Sequence, residues 1–244
     1  KMIISEKYKY VFIQTPMTGC SAVAKELVEK YAGRAILSKH AIYSTFIANA
    51  TAEQRKYFVF SGVRNPLDKM VSNYQKMLNN HNDRFTRKLN SDPRKAIFQL
   101  RDRLKFRNVR RGWTYEQFLK NTKVYDELSS LDHHKMDYVM RFETLESDFE
   151  KVLTQLSIPL VRKLPRFNST QKKKHYLKFY ESDKTRELAV KKMGPFMEYS
   201  EYSFPKDWGD SNPSYWDRFQ YKLWHTLRIL SWKYVRRGIR GHKL

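Results

Sequence analysis

Tyr8-Lys9-Tyr10-Val11-Phe12-Ile13-Gln14 runs directly into Thr15-Pro16-Met17-Thr18-Gly19-Cys20-Ser21-Ala22. The first seven residues are mostly β-branched and aromatic, the pattern of a buried parallel strand, and Val23, Leu27, Val28 and Tyr31 then recur at helical spacing. The loop between them therefore joins a strand to a helix N-terminus. Its small residues let backbone N–H groups approach an anion, Thr18, Cys20 and Ser21 add side-chain contacts, and the helix dipole favours negative charge. A phosphate or sulfate fits this place, although taken alone such a turn serves equally well as an ordinary tight connection. It is not a Walker loop. That motif needs two glycines flanking four residues and then Lys-Ser/Thr, whereas this loop has one glycine and no lysine, which argues against a kinase.

A second motif lies forty-odd residues on. Tyr57 to Val63 is another apolar strand, Arg64-Asn65-Pro66 ends it, and Leu67, Val71, Tyr74, Met77 and Leu78 share one side of the helix that follows. Arg64 thus stands at the C-terminal end of a strand, where ligands bind in open α/β sheets. Ser72, eight residues later, falls about two turns into the helix. A guanidinium and a helix-borne hydroxyl so spaced can close on one phosphate. Together the two motifs describe a nucleotide site on an α/β fold, a central parallel sheet flanked by helices.

With both motifs in hand, the chain resembles the sulfotransferases that use 3'-phosphoadenosine 5'-phosphosulfate (PAPS), closest to the carbohydrate branch of heparan 2-O- and chondroitin-type enzymes. The resemblance continues through Asp137-Tyr138-Val139-Met140-Arg141-Phe142-Glu143-Thr144-Leu145, through Leu164-Pro165-Arg166-Phe167-Asn168-Ser169-Thr170, and from Phe179-Tyr180 to Phe204-Pro205. It implies a P-loop-kinase-like sulfotransferase fold and transfer of a sulfuryl group from PAPS to a hydroxyl of a carbohydrate or glycoconjugate, leaving 3'-phosphoadenosine 5'-phosphate (PAP). On this resemblance Met17, Thr18, Gly19, Cys20, Ser21 and Ala22 hold the 5'-phosphosulfate, and Arg64 and Ser72 hold the 3'-phosphate. Thr170, Lys172, Lys173 and Lys174 belong to a loop that closes over that phosphate, with a solvated charge run as the alternative.

One position departs from the family. Where the loop of the family carries a lysine that contacts the transferring group, this chain has Met17, which supplies no charge. Lys25, Lys39 and Lys69 are candidate substitutes among which the sequence does not choose; the other reading is a nucleotide-binding homologue with weakened or no transfer activity. The family places a catalytic histidine after the strand corresponding to Ile36-Leu37-Ser38, which makes His40 the candidate base. His133 and His134 are candidates for substrate binding. On an extended segment adjacent residues point opposite ways, so at most one would face a cleft. No His/Cys spacing suits zinc, and no metal is expected.

At 244 residues without a linker, repeat or low-complexity tract, the chain reads as one domain, 1–244, with 205–244 as a helical C-terminal extension. Its formal charge of +23, from 48 basic and 25 acidic side chains, raises the local concentration of anionic partners without identifying them. A nucleic-acid-binding protein is the rival class this charge suggests, but no helix-turn-helix, RRM or KH pattern accompanies it, so no specific nucleic acid is expected. The basic stretch Asn79 to Arg111 includes Ala96, Ile97, Leu100 and Leu104, the makings of an amphipathic helix that is either a solvated face or the wall of a cleft for an anionic acceptor. The single cysteine, Cys20, excludes an intramolecular disulfide and reads as a packing residue. With no signal peptide or spanning run, and Met2 as a plausible initiator, a cytoplasmic protein is expected, peripheral to a membrane at most; the Golgi lumen is the alternative should an N-terminal anchor have been removed. Near the end, Trp216, Phe219, Leu223, Leu227, Leu230 and Tyr234 form an apolar stripe among arginines and lysines. It suits packing on the domain or docking on an anionic membrane surface.

Overall fold

A computed structural model describes residues 1–91, 93–122, 132–165 and 175–230. Thr170, Lys172, Lys173, Lys174 and Tyr234 lie outside the described residues. The chain divides into two compact units, the first comprising Lys1–Asn65, Ser129–Gln171 and Lys222–Leu244, the second Pro66–Leu128 and Lys172–Tyr221.

The first unit is built on a five-stranded sheet of β1 (Met2–Ser5), β2 (Tyr10–Ile13), β3 (Arg34–Ile36), β4 (Phe58–Val63) and β5 (Tyr138–Arg141), in the order β3-β1-β2-β4-β5. β2 pairs with β4 and β4 with β5 in parallel, with Phe12 opposite Phe60 and Gly62 opposite Met140. β1 runs antiparallel to both β2 and β3, so four strands share one direction and β1 opposes them. The sequence reading of a parallel sheet holds for those four and missed β1. β1 owes its strand state to pairing on both edges, with β2 and with β3. Every residue of β1 and β2 is buried, as expected of strands covered on both faces.

Alternation along the strands divides the core in two. Tyr10, Phe12, Phe60 and Met140 face α1 (Cys20–Lys30) and, further along the chain, the helix Leu145–Gln155, meeting Val23, Leu27, Phe149 and Val152. Val11, Ile13, Ile36 and Val59 face the other way, where Phe46 of α2 (Tyr43–Asn49) completes the layer. Because β2, β3, β4 and β5 point the same way, the segments that leave them emerge at the same end of the sheet. These are the loop before α1, the 37–42 connection, Arg64-Asn65 and Phe142 to Thr144.

The second unit is helical: α3 (Pro66–Leu78), α4 (Pro93–Arg110), α5 (Tyr115–Asn121), then, after α6 (the helix Leu145–Gln155 of the first unit), α7 (Asp183–Tyr199), together with the start of α8 (Tyr215–Leu230). Thr114 and Gln117 form a reciprocal capping box at the start of α5. Its aromatic centre gathers Tyr74, Tyr115, Phe118, Phe179 and Tyr180, with the Tyr180 hydroxyl donating to the Leu67 carbonyl at 3.0 Å. Lys192 of α7 donates to the carbonyls of Leu119, Lys120 and Thr122 at 2.8, 2.6 and 3.1 Å, satisfying the C-terminal end of α5. In α4, Ile97, Leu100 and Leu104 are exposed, so its apolar positions do not form a buried stripe. No helix among the described residues is long and apolar enough to cross a membrane.

Candidate active site

The loop between β2 and α1 is held by its own hydrogen bonds. Thr18 is buried and its hydroxyl donates to the Thr15 carbonyl at 2.9 Å. Met17 and Gly19 both take left-handed backbone angles, φ 66° and 72°, a form that turns successive N–H groups toward one concave side. Glycine suits position 19: its left-handed angle strains residues that carry a Cβ, and a Cβ there would lie 2.5 Å from Leu145 Cδ2 and push that side chain aside. α1 starts immediately afterwards at Cys20, with no acidic residue in its first turn and no side-chain cap on its N–H groups. An anion therefore fits this end of α1. Cys20 is buried, and that burial pushes its thiol above the ordinary range, which makes it a packing residue rather than a nucleophile.

Two cations reach the loop within the first unit. Lys39 Nζ donates to Ser21 Oγ at 3.3 Å. Of the other two candidates for the charge that Met17 lacks, Lys25 pairs with Glu29 along α1 at 3.6 Å, and Lys69 is buried on α3 in the second unit. Arg64 is buried, its Nη1 donates to the Met17 carbonyl at 3.3 Å, and its guanidinium lies over the Phe142 ring, 4.3 Å from the centroid. Glu143 Oε1 accepts from the backbone N–H of Asn65 at 2.8 Å. Asp148 in turn accepts from the N–H of Arg141 at 2.8 Å and the Thr144 hydroxyl at 3.1 Å. Phe142 and Glu143 thus position the strand end that carries Arg64. Their side-chain types alone carry no sign of this role. Ser72 lies buried on α3 in the second unit.

His40 adopts φ 63° in the connection after β3, and its Nδ1 lies 2.7 Å from the Gln14 carbonyl oxygen. A carbonyl only accepts, so Nδ1 carries the proton and Nε2 the lone pair in the neutral ring. That is the tautomer a base requires, and Gln14 is the residue that leads into the anion loop. The Gln14 side-chain amide also donates to the Lys1 carbonyl. Nothing in a sequence marks a backbone carbonyl for this role.

His133 and His134 part company. The segment His133–Lys135 is a 3-10 turn, not the extended strand lead-in expected, and its curl buries His133 while leaving His134 exposed. His133 Nε2 lies 3.4 Å from Thr15 Oγ1; Thr15 Oγ1 lies 2.7 Å from Ser61 Oγ, which donates to the Ile13 carbonyl at 2.7 Å. This chain of contacts braces the start of the anion loop. Among the described residues no cluster of His, Cys, Asp or Glu is arranged to hold a metal ion.

No curated protein and no solved structure is significantly similar to the chain. A family model described as "Sulfotransferase family" matches residues 1–200, a stretch that contains the anion loop, His40, Arg64, Ser72 and the Arg141-Phe142-Glu143 segment. The chain belongs to the sulfotransferase family.

Proposed function

We propose that this chain transfers a sulfuryl group from PAPS to a hydroxyl of a carbohydrate or glycoconjugate. The observation that carries the reading is the placement of Lys39 and His40, neighbours on one connection, against the anion loop through Ser21 and Gln14. The loop suits the donor: its left-handed glycine turn, uncapped helix start and adjacent cations match a phosphosulfate. PAPS supplies an activated sulfuryl group on a phosphate leaving group.

The backbone of Met17 to Ala22 would hold the 5' end of the nucleotide, with Lys39 providing the positive charge that Met17 does not. Arg64 and Ser72 would hold the 3'-phosphate, and Thr170, Lys172, Lys173 and Lys174 are assigned to cover it. His40 Nε2 would accept the proton of the acceptor hydroxyl, while the Gln14 carbonyl keeps Nδ1–H in place and stabilises the imidazolium that forms. Charge stabilisation and alignment dominate such in-line transfers, so a fixed cation and a fixed base are the two things the fold must deliver. Exposed His134 is assigned to the acceptor side, and His133 to the loop's support. The +23 charge favours capture of acidic glycans.

The test is calorimetry with PAP, followed by a transfer assay from PAPS to a panel of desulfated glycosaminoglycans. Micromolar binding and sulfation of at least one glycan are expected; absence of PAP binding at sub-millimolar concentration would sink the assignment. Met17 motivates a second reading, a homologue that holds the nucleotide with weakened or no transfer. Tight PAP binding with no turnover on any acceptor would favour it.

A further inference from the structure

An amphipathic helix on a protein surface ordinarily turns its apolar stripe inward. α8 does the reverse. Trp216, Phe219, Leu223, Leu227 and Leu230 recur at steps of three and four, and these residues, with Trp224 beside them, are 44% to 67% exposed. Of the fourteen large apolar residues exposed among the described residues, seven belong to this one helix, so the exposure is concentrated rather than scattered.

The residues that engage the rest of the chain are the polar ones. Asp217 is buried and closes the helix's own N-terminus, accepting from the N–H and hydroxyl of Ser214 at 3.0 and 2.6 Å, while Arg218 reaches out to a forked pair with Glu198 at 3.0 and 2.7 Å. Tyr221 sets its ring against Tyr199. Within the first unit His225 is half-buried near Asp132 and His134, and that burial holds its imidazole below the ordinary range. Asp217, Tyr221 and His225 follow at steps of four, and at 100° per residue their face is centred opposite the Phe219-Leu223-Leu227 stripe.

Charge identifies what the outward stripe meets. Asp217 is the last acidic residue of the sequence, and eight lysines and arginines follow it: Arg218, Lys222, Arg228, Lys233, Arg236, Arg237, Arg240 and Lys243. A second copy of the chain would bring the same cations, on a body of charge +23, against these. An anionic lipid surface offers the complement to both features, acyl chains for the stripe, headgroups for the cations, and the boundary between them for the tryptophans. At 16 residues the described helix is about 24 Å long on a rise of 1.5 Å per residue, and it suits lying in the surface plane. We infer that α8 docks this protein on anionic bilayers. The inference stands on exposure and charge alone and is independent of the sulfotransferase chemistry.

The experiment is co-sedimentation of the whole chain with phosphatidylcholine vesicles made with and without phosphatidylserine. Sedimentation with the anionic vesicles alone is expected. The variant Phe219→Ser/Leu223→Ser/Leu227→Ser, changed only at exposed positions, should lose binding about tenfold or more while keeping its circular dichroism spectrum. Brominated phosphatidylserine should quench tryptophan fluorescence of the unaltered protein, a readout that needs no variant. No sedimentation, no quenching, or equal sedimentation of wild type and variant would each overturn the inference. So would a wild-type dimer in light scattering that the triple substitution dissolves, because the stripe would then be an interface between copies.

Discussion

The ammonium of Lys39 lies 3.3 Å from the hydroxyl of Ser21, which brings a cation from the connection after β3 to the first turn of α1. The anion loop itself contains no basic residue, and this contact brings one to it from a different element. Relocation of a charge is testable by moving it back. Lys39→Met should weaken PAP roughly tenfold, the size expected of one charge-assisted contact at a partly solvated site. Met17→Lys made in the Lys39→Met background should recover most of that loss. If Lys39→Met binds PAP as tightly as wild type, the charge is supplied elsewhere.

His40 is held by the Gln14 carbonyl in the tautomer with Nε2 as acceptor. His40→Ala should lower turnover by about 10²–10⁴ while PAP affinity stays within about twofold, since general-base effects fall on the rate. Separate titrations of binding and turnover check both halves. A large loss of PAP affinity would make His40 a support of the loop instead of a base.

Arg64 is aimed by three partners, the Met17 carbonyl, the Phe142 ring and, through Asn65, the Glu143 carboxylate. Arg64→Ala should cost PAP about 1.5–3 kcal/mol and adenosine 5'-phosphosulfate, which has no 3'-phosphate, far less. Phe142→Leu keeps the apolar bulk and removes the aromatic face, so it should cost PAP about 0.5–1 kcal/mol. Equal losses for the two nucleotides in Arg64→Ala would place the 3'-phosphate elsewhere.

Lys192 closes the C-terminal end of α5 with three donated hydrogen bonds. Lys192→Met retains most of the side-chain volume and leaves those carbonyls without their donor, so unfolding stability should fall by about 1–3 kcal/mol. Urea denaturation followed by tryptophan fluorescence measures it. A midpoint unchanged from wild type would mean that water replaces the ammonium at no cost.

Much of the architecture was legible because it is periodic. β2, β4, α1 and α3 each announce themselves by a run or a stripe, and the loops between them by glycine or proline. α1 and α3 begin and end within three residues of the periodic stretches that mark them. β1 was not legible, because it depends on β2 and β3, which pair with it from further along the chain. At the site, side-chain types could be read but not their aim. That Lys39 touches Ser21 while Lys25 turns along its own helix to Glu29 was not legible, because a lysine's reach is set by where its element lies. The tautomer of His40 was hidden for a different reason: it is fixed by a main-chain oxygen, and every residue has one. The inward face of α8 was equally hidden, since a stripe on a helical wheel does not say which side meets the protein.

Among the described residues β3 is an edge strand that pairs with β1. The connection bearing Lys39 and His40 leaves from β3, and Gln14, which orients the His40 ring, is tied through its side chain to the Lys1 carbonyl. The opening residues therefore hold the His40 connection from two directions, by pairing with its strand and by fixing the residue whose carbonyl orients the ring. Because Ile3 shares its buried layer with Phe12 and Phe60, and Met2 and Ile4 belong to the layer on the other face, an alteration at Met2 to Ser5 should loosen the core and displace the His40 connection together.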